Sequence, residues 1–203
     1  MSSDNKQQAL LKGVVRAVAR DGLENTTTRS IGQVAGVKDA YIYRYYNDKD
    51  ELICRAFYDE SKRFAELVIR HIELAKTAPI TSYREGLYIV LTPAWEYLLD
   101  NPDVCKFCVY YYHSSSFRKF ATIKYYQKVK DILDHVISLV PFCVDTGVLL
   151  NHLLISLFSF AVQVADGDLP NTQQTTELVF EQMYAVFRRF LVPLDKGGPN
   201  LKI

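Results

Sequence analysis

Thr26–Leu52 reads TTTRSIGQVAGVKDAYIYRYYNDKDEL, and its interpretation decides the fold. Two short helical patterns sit there, joined by a tight glycine-bearing turn. Thr28 is placed as an N-cap, where a hydroxyl accepts from an orphan backbone N–H of the first turn. Ile31, Val34 and Ala35 then share one face at three- and four-residue spacing. Gly36 stands where a helix end calls for positive φ. A second short helix is predicted from about Asp39 to Tyr46, with Val37, Ile42 and Tyr45 or Tyr46 inward. Helix, short turn and helix form the unit that sets its second helix in a DNA major groove. Tyr41, Tyr43, Tyr45 and Tyr46 crowd that helix beside Lys38 and Arg44. Phenols and basic heads suit phosphate oxygens and base edges. Spacing alone equally allows a plain helical hairpin packed by aromatic rings.

Outside this stretch the composition is that of an ordinary globular chain. Of 203 residues, 49% are hydrophobic and 23% charged, with a net charge of +1. Whole-chain charge therefore does not announce nucleic-acid binding. Residues 1–49 are more basic, with eight Lys and Arg against five Asp and Glu, enough for a few phosphate contacts. The opening MSSDNKQQ has no apolar segment of the kind a signal peptide needs. The most apolar stretch, 148–165, is broken by Asn151, His152, Ser156, Ser159 and Gln163, and reads as a buried helix rather than a membrane span. Four scattered cysteines suggest reduced thiols in a cytoplasm.

The remaining periodicity predicts helices throughout. The first runs from about Asp4 to Asp21, with Leu10 or Leu11, Val14, Val15 and Val18 inward and Gly22 ending it. A long fourth helix begins at 47–51, where Asp48 and Glu51 have capping-box spacing, and continues to about Lys76. A fifth spans about 82–100, with Leu87, Leu91, Ala94 and Leu98 inward and a kink expected at Pro93. A short sixth is marked by Val104, Phe107, Cys108 and Tyr111. Ser114, Ser115 and Ser116 read as a turn before a seventh helix at 117–139, broken by Pro141. The eighth (about 145–165) and ninth (about 175–191) are apolar on two faces, so one face is expected to pack at home and the other on a second copy. A buried hairpin within one chain would serve as well. No strand pattern or internal repeat appears.

No nucleotide-binding glycine loop, paired-histidine zinc motif or nucleophile elbow is present. No catalytic constellation, metal site or cofactor is expected. Cys105 and Cys108, near His113, lack the further ligands that zinc needs and read as core thiols.

The motif residues carry a resemblance. Ala35-Gly36-Val37, Ile42-Tyr43, Tyr46 and Lys49-Asp50-Glu51-Leu52 are similar to the DNA-binding signature of TetR-type (TetR/AcrR) transcriptional regulators. That signature runs roughly A-G-V-S-x-G-T-L/I-Y-x-Y/H-F-x-x-K-E-x-L. Thr27-Thr28-Arg29-x-Ile31 matches the start of the family's second helix. Three positions depart from it. Lys38 replaces the usual serine cap, leaving Asp39 as a substitute, Ala40 replaces glycine, and Tyr41 replaces threonine.

The resemblance implies an all-α fold of about nine helices. Residues 1–48 would form a three-helix, helix-turn-helix DNA-binding domain. Residues 49–192 would form a ligand-binding and dimerisation bundle, and 193–203 a mobile tail. It implies a non-enzymatic, cytoplasmic, homodimeric regulator that binds a palindromic double-stranded DNA operator. The expected role is that of a repressor released by a small-molecule effector. An activator of the same fold, or a helical ligand-binding protein with a vestigial DNA-reading helix, stays open. Lys38, Asp39, Ala40, Tyr41, Tyr43 and Tyr45 would face DNA, with Thr28, Arg29, Arg44 and Lys49 beside them. Tyr88, Trp95, Phe107, Tyr111, Phe117, Tyr125, His152 and Phe158 are candidates to line an effector pocket. Leu149, Leu153, Leu157 and Phe160, with Leu178, Met183 and Phe187, are candidates for the dimer interface.

Overall fold

The computed structural model describes residues 3–120, 131, 134–135 and 146–190. Among these residues it contains nine α-helices, one 3-10 turn and no strand. The helices are α1 (Ser3–Asp21), α2 (Thr28–Ala35), α3 (Ile42–Tyr45), α4 (Lys49–Thr77) and α5 (Tyr83–Asp100). They are followed by α6 (Pro102–Tyr112), α7 (Ser115–Phe120), α8 (Thr146–Asp166) and α9 (Gln173–Phe187). Of the expected seventh helix beyond Phe120 only residues 131 and 134–135 are described, and these are helical; its other residues, Pro141 and the tail at 193–203 lie outside the described residues. None of the described helices is long and apolar enough to cross a membrane.

The chain divides into two compact units. One comprises Met1–Lys62 and Asn101–Val129, the other Arg63–Asp100 and Lys130–Ile203. This division cuts the chain elsewhere than at 48/49. The first part of α4 and all of α6 fall in the same unit as the three amino-terminal helices, and α6 lies against α1.

The first unit is built on α1. Its predicted stripe of Leu10, Leu11, Val14, Val15 and Val18 is buried, and Gly22 ends the helix at φ 77°. α2 begins one residue earlier than Thr28 suggests. Thr27 is the N-cap: its hydroxyl accepts from the Ser30 N–H at 3.0 Å, and the Ser30 hydroxyl accepts from the Thr27 N–H at 2.9 Å. The reciprocal bond needs a hydroxyl at the third helical position, and only Thr27 has one three residues on. Gly36 closes α2 at φ 64°, and Val37 donates to the Gly32 carbonyl at 3.0 Å. That fold-back brings the chain so near that a Cβ on Gly32 would lie 2.7 Å from the Val37 oxygen.

The second short helix is a 3-10 turn, Asp39–Tyr41, running into α3. Asp39 does not cap it from outside. It occupies the first helical position, and its carboxylate accepts from the adjacent Ala40 N–H at 2.9 Å. Ile42 and Tyr46 are buried one turn apart. The Tyr46 hydroxyl accepts from Gln7 Nε2 at 3.2 Å. α4 starts with half of its capping box: Asp48 accepts from the Glu51 N–H at 2.7 Å, but Glu51 accepts from the N–H of Asn47, one residue before the cap, at 2.9 Å.

Behind these helices Phe57, Phe107, Tyr111 and Phe117 form an aromatic cluster, with Phe57 and Tyr111 ring centres 4.8 Å apart. α7 begins at Ser115, so Ser115 and Ser116 are helical rather than a turn. The Ser114 hydroxyl accepts from the Phe117 N–H at 3.2 Å and donates to the Tyr111 carbonyl at 2.6 Å.

In the second unit α5 packs on α8, and α9 on both. Leu91, Ala94, Trp95 and Leu98 of α5 meet Leu153, Leu157 and Ala161 of α8 and Val179, Phe180 and Met183 of α9 in a buried core. α5 stays helical through Pro93, whose missing N–H leaves the Ile89 carbonyl without its usual donor. α9 starts earlier than 175, because Thr172 caps it by accepting from the Thr175 N–H at 3.2 Å. It ends before 191, with residues 188–190 in a turn.

Two substitutions separate the anchors of the helix-turn-helix. Ile42→Ala removes a fully buried side chain and is expected to cost about 2–5 kcal/mol. Gly36→Ala places a Cβ at positive φ and is expected to cost about 1–2 kcal/mol. Thermal unfolding checks both: each kcal/mol lowers the midpoint of a chain this size by about 2–4 °C.

Candidate nucleic-acid interface

The burial of Ile42 and Tyr46 decides what the short helix shows to solvent. Lys38, Asp39, Ala40, Tyr43 and Arg44 are exposed, Tyr43 with 62% of its surface free. A tyrosine that open in a segment otherwise anchored by apolar burial is available for contact. Arg29 on α2 is exposed as well, and Thr28 is half-buried beside it. Tyr45 is half-buried, its ring edge-on to Tyr46 at 6.5 Å.

Two of the predicted residues have additional partners within the chain. Lys49 Nζ donates to the Thr26 carbonyl at 2.8 Å, tying the start of α4 to the loop between α1 and α2. Thr26 is itself buried, and its hydroxyl donates to the Gly22 carbonyl at 2.7 Å. An ammonium has three N–H groups, so Lys49 keeps donors for an anion. Tyr41 is not simply exposed: Lys6 of α1 sits over its ring, with Nζ 4.1 Å from the ring centre. A hydrogen bond from Lys6, and then its charge, lower the Tyr41 phenol pKa, with Arg44 and Lys38 adding smaller effects, because a donated proton and nearby cations favour the phenolate. Neither Lys6 nor Gln7 stands out in the sequence, since their partners are 35 and 39 residues away.

The candidate pocket residues fall into separate groups. Phe107, Tyr111 and Phe117 belong to the aromatic cluster of the first unit. Tyr88 and Trp95 lie against Phe180 in the second, and Trp95 Nε1 donates to the Thr176 hydroxyl at 3.0 Å. Tyr88 also donates to Glu181 at 2.7 Å, and Arg84 pairs with the same carboxylate. Phe158 meets Phe64 edge-on at 4.9 Å. His152 is exposed, and Tyr125 lies outside the described residues.

Of the dimer candidates, Leu153, Leu157, Met183 and Phe187 are buried in the chain's own core, where a side chain has little area left to lose to a partner. Phe160 is half-buried, Leu178 is 59% exposed, and the Leu149 side chain lies outside the description. Val148, 69% exposed, is an outward apolar residue that the sequence pattern assigned to the helix without a face.

Cys54, Cys105 and Cys108 are buried thiols outside any disulfide. Burial pushes the Cys105 thiol up to about 12 and raises Cys108 well above its usual value. Cys54 Sγ lies 2.9 Å from the Tyr111 hydroxyl. Among the described residues no group of three or more His, Cys, Asp or Glu is placed to hold a metal.

These features define an all-α protein with an amino-terminal helix-turn-helix whose second helix is held outward. A family profile described as "Bacterial regulatory proteins, tetR family" matches residues 10–56. Solved structures agree over most of the chain. A TetR family transcription regulator from Marinobacter aquaeolei VT8 is 21% identical at a TM-score of 0.66, over 90% of this chain and 95% of that one. A TetR-like transcriptional regulator from Rhodococcus sp. RHA1 is 20% identical at 0.62, over 90% and 96%. The transcriptional regulator FadR from Bacillus subtilis, solved in complex with stearoyl-CoA, is 16% identical at 0.63, over 87% and 96%. The chain carries the helix-turn-helix domain of the tetR family of bacterial regulatory proteins, and as a whole it takes the fold of TetR-family transcription regulators.

Lys49→Met keeps the aliphatic stem and deletes the donor to Thr26. It is expected to lower the denaturant-derived stability by about 1 kcal/mol, whereas a residue used only for DNA would leave it unchanged. The buried thiols make a second expectation, because the thiolate is the reactive form. At pH 8, Cys54, Cys105 and Cys108 should remain unalkylated while a denatured sample reacts fully, as read by peptide mass mapping.

Proposed function

We propose that the chain is a cytoplasmic, homodimeric transcriptional repressor that binds a palindromic operator through α3 and is released by a small-molecule effector. The observation that carries the reading is the outward segment Lys38–Arg44, anchored from behind by Ile42 and Tyr46. A surface held that firmly and left that open is suited to a partner of fixed shape. The chain acts by binding, without a catalytic step.

In this reading residues 1–48 are the DNA-reading part and 49–192 the part that senses and dimerises. Lys38, Asp39, Ala40, Tyr41 and Tyr45 face base edges from the major groove, with Arg44 at their flank. Tyr43 and Lys49 hold phosphates, Lys49 at the positive end of α4. Thr28 and Arg29 approach the backbone from α2. Two copies pair through the outward faces of α8 and α9, where Val148, Leu178 and Phe160 supply apolar area. The effector has an apolar part, in keeping with the aromatic side chains Tyr88, Trp95 and Phe158 of the second unit and with the acyl chain of the stearoyl-CoA in the FadR structure. Its signal passes along α4, one unbroken helix from the DNA-reading part into the bundle. A coupling of about 1–3 kcal/mol changes operator affinity by about 5–150-fold.

Selection of bound duplexes from a random pool tests the reading. The expected product is a palindrome with half-sites about 34–36 Å apart. Tyr43→Phe should then weaken binding to all duplexes alike, and Tyr41→Ala should change base preference at one position of each half-site. A pool that stays unenriched, with weak salt-sensitive binding alone, would mean that α3 no longer reads bases.

A further inference from the structure

α1 grips the recognition segment at two tyrosines through neighbouring residues. Gln7 donates to the hydroxyl of Tyr46, the inward tyrosine. Lys6 covers one face of the ring of Tyr41, the outward tyrosine that replaces the family's usual threonine. A phenol ring on a short exposed segment has two free torsions and would otherwise sample several rotamers. An ammonium 4.1 Å from the ring centre favours the one rotamer that keeps the ring beneath it. The same ammonium hydrogen-bonds the Tyr41 hydroxyl, which then accepts from Lys6 and keeps its own proton to donate.

We propose that Lys6 is a positioning residue for sequence recognition: by holding the Tyr41 ring against the amino-terminal turn of α1, it presents the Tyr41 hydroxyl as a hydrogen-bond donor to an acceptor on a base edge. The bases that meet it in the major groove are those with acceptors, namely purine N7, guanine O6 and thymine O4. Cytosine, whose N4 amino group is itself a donor, is rejected at that position. The lowered pKa of the phenol works in the same direction, since a more acidic hydroxyl is a stronger donor.

This inference rests on the DNA-reading function proposed above, and its test distinguishes the two. The experiment uses the full chain with Lys6→Met, Lys6→Arg, Tyr41→Phe and the double variant Lys6→Met with Tyr41→Phe. The free protein is examined first. Selective tyrosine labelling identifies the Tyr41 resonance by its loss in Tyr41→Phe, and the phenol should titrate at lower pH in the wild type than in Lys6→Met. Equal titration curves would show that the contact is absent in solution and would overturn the proposal without touching the DNA-reading function.

Binding to the selected duplex and to its single-base variants follows. Lys6→Met should reduce discrimination against cytosine at the Tyr41 position by about 2–5-fold, the range of an exposed cation–π contact. Lys6→Arg should restore it, because a guanidinium also stacks on a phenol ring. In the double variant the loss should be no greater than in Tyr41→Phe alone, since both changes remove one donor. If Lys6→Met instead weakens every duplex equally and reduces the salt slope by about one phosphate's worth, Lys6 is a backbone contact and the positioning role is wrong. Failure of the wild type to select any duplex overturns the DNA-reading function itself, and this inference with it.

Discussion

The structure depends on burying Ile42 and Tyr46 beneath a segment too short to be helical on its own. Three residues of 3-10 turn and four of α-helix cannot offset the entropy of nucleation in water. Tertiary contact must hold them, and the two inward side chains supply it. Their four-residue spacing puts both on one face, so the residues between and before them point outward. The open surface from Lys38 to Arg44 is thus the geometric complement of the buried pair. Each end is closed by local chemistry: the left-handed Gly36 before it, and the Asn47–Glu51 capping network after it.

The electrostatics of this surface are local rather than global. With a net charge of +1 the chain generates no strong long-range field toward a polyanion. What it offers is a handful of cations in set positions, and two of them have structural duties. Lys49 joins the head of α4 to the loop at Thr26, across 23 residues of sequence. Lys6 joins the head of α1 to the recognition tyrosine. A cation held by a carbonyl or a ring face loses less side-chain entropy when it later meets an anion. The same economy shapes the buried interior of the first unit, where Tyr111 completes an aromatic cluster and its hydroxyl meets Cys54 of α4.

Where the helix starts differ from the sequence pattern, the cause is a choice between near-equivalent local acceptors. Thr27 and Thr28 both have the side chain of an N-cap, and Ser30 selects Thr27 by returning the bond. Asp39 has the chemistry of a cap but enters the helix because Lys38 is already extended. Thr172 outranks the apolar pattern and starts α9 early. The over-apolar character of α8 and α9 was correctly visible, but not which side of each helix faced home: Leu153, Leu157, Met183 and Phe187 turned inward and left Val148 and Leu178 outside. A helix apolar all round has no periodic signal to orient it.

The amino-acid sequence by itself determined the helical class, the punctuation by Gly22 and Gly36, the buried stripe of α1 and the helix-turn-helix motif. All of these follow from interactions within about four residues, which spacing and residue type record directly. The tertiary structure alone decided which aromatic residues share a cluster, that α6 packs on α1, and that Lys6, Gln7 and Lys49 reach Tyr41, Tyr46 and Thr26. Those contacts join residues more than twenty positions apart, and a side chain's reach across such a gap is set by how the helices pack, which no local pattern encodes.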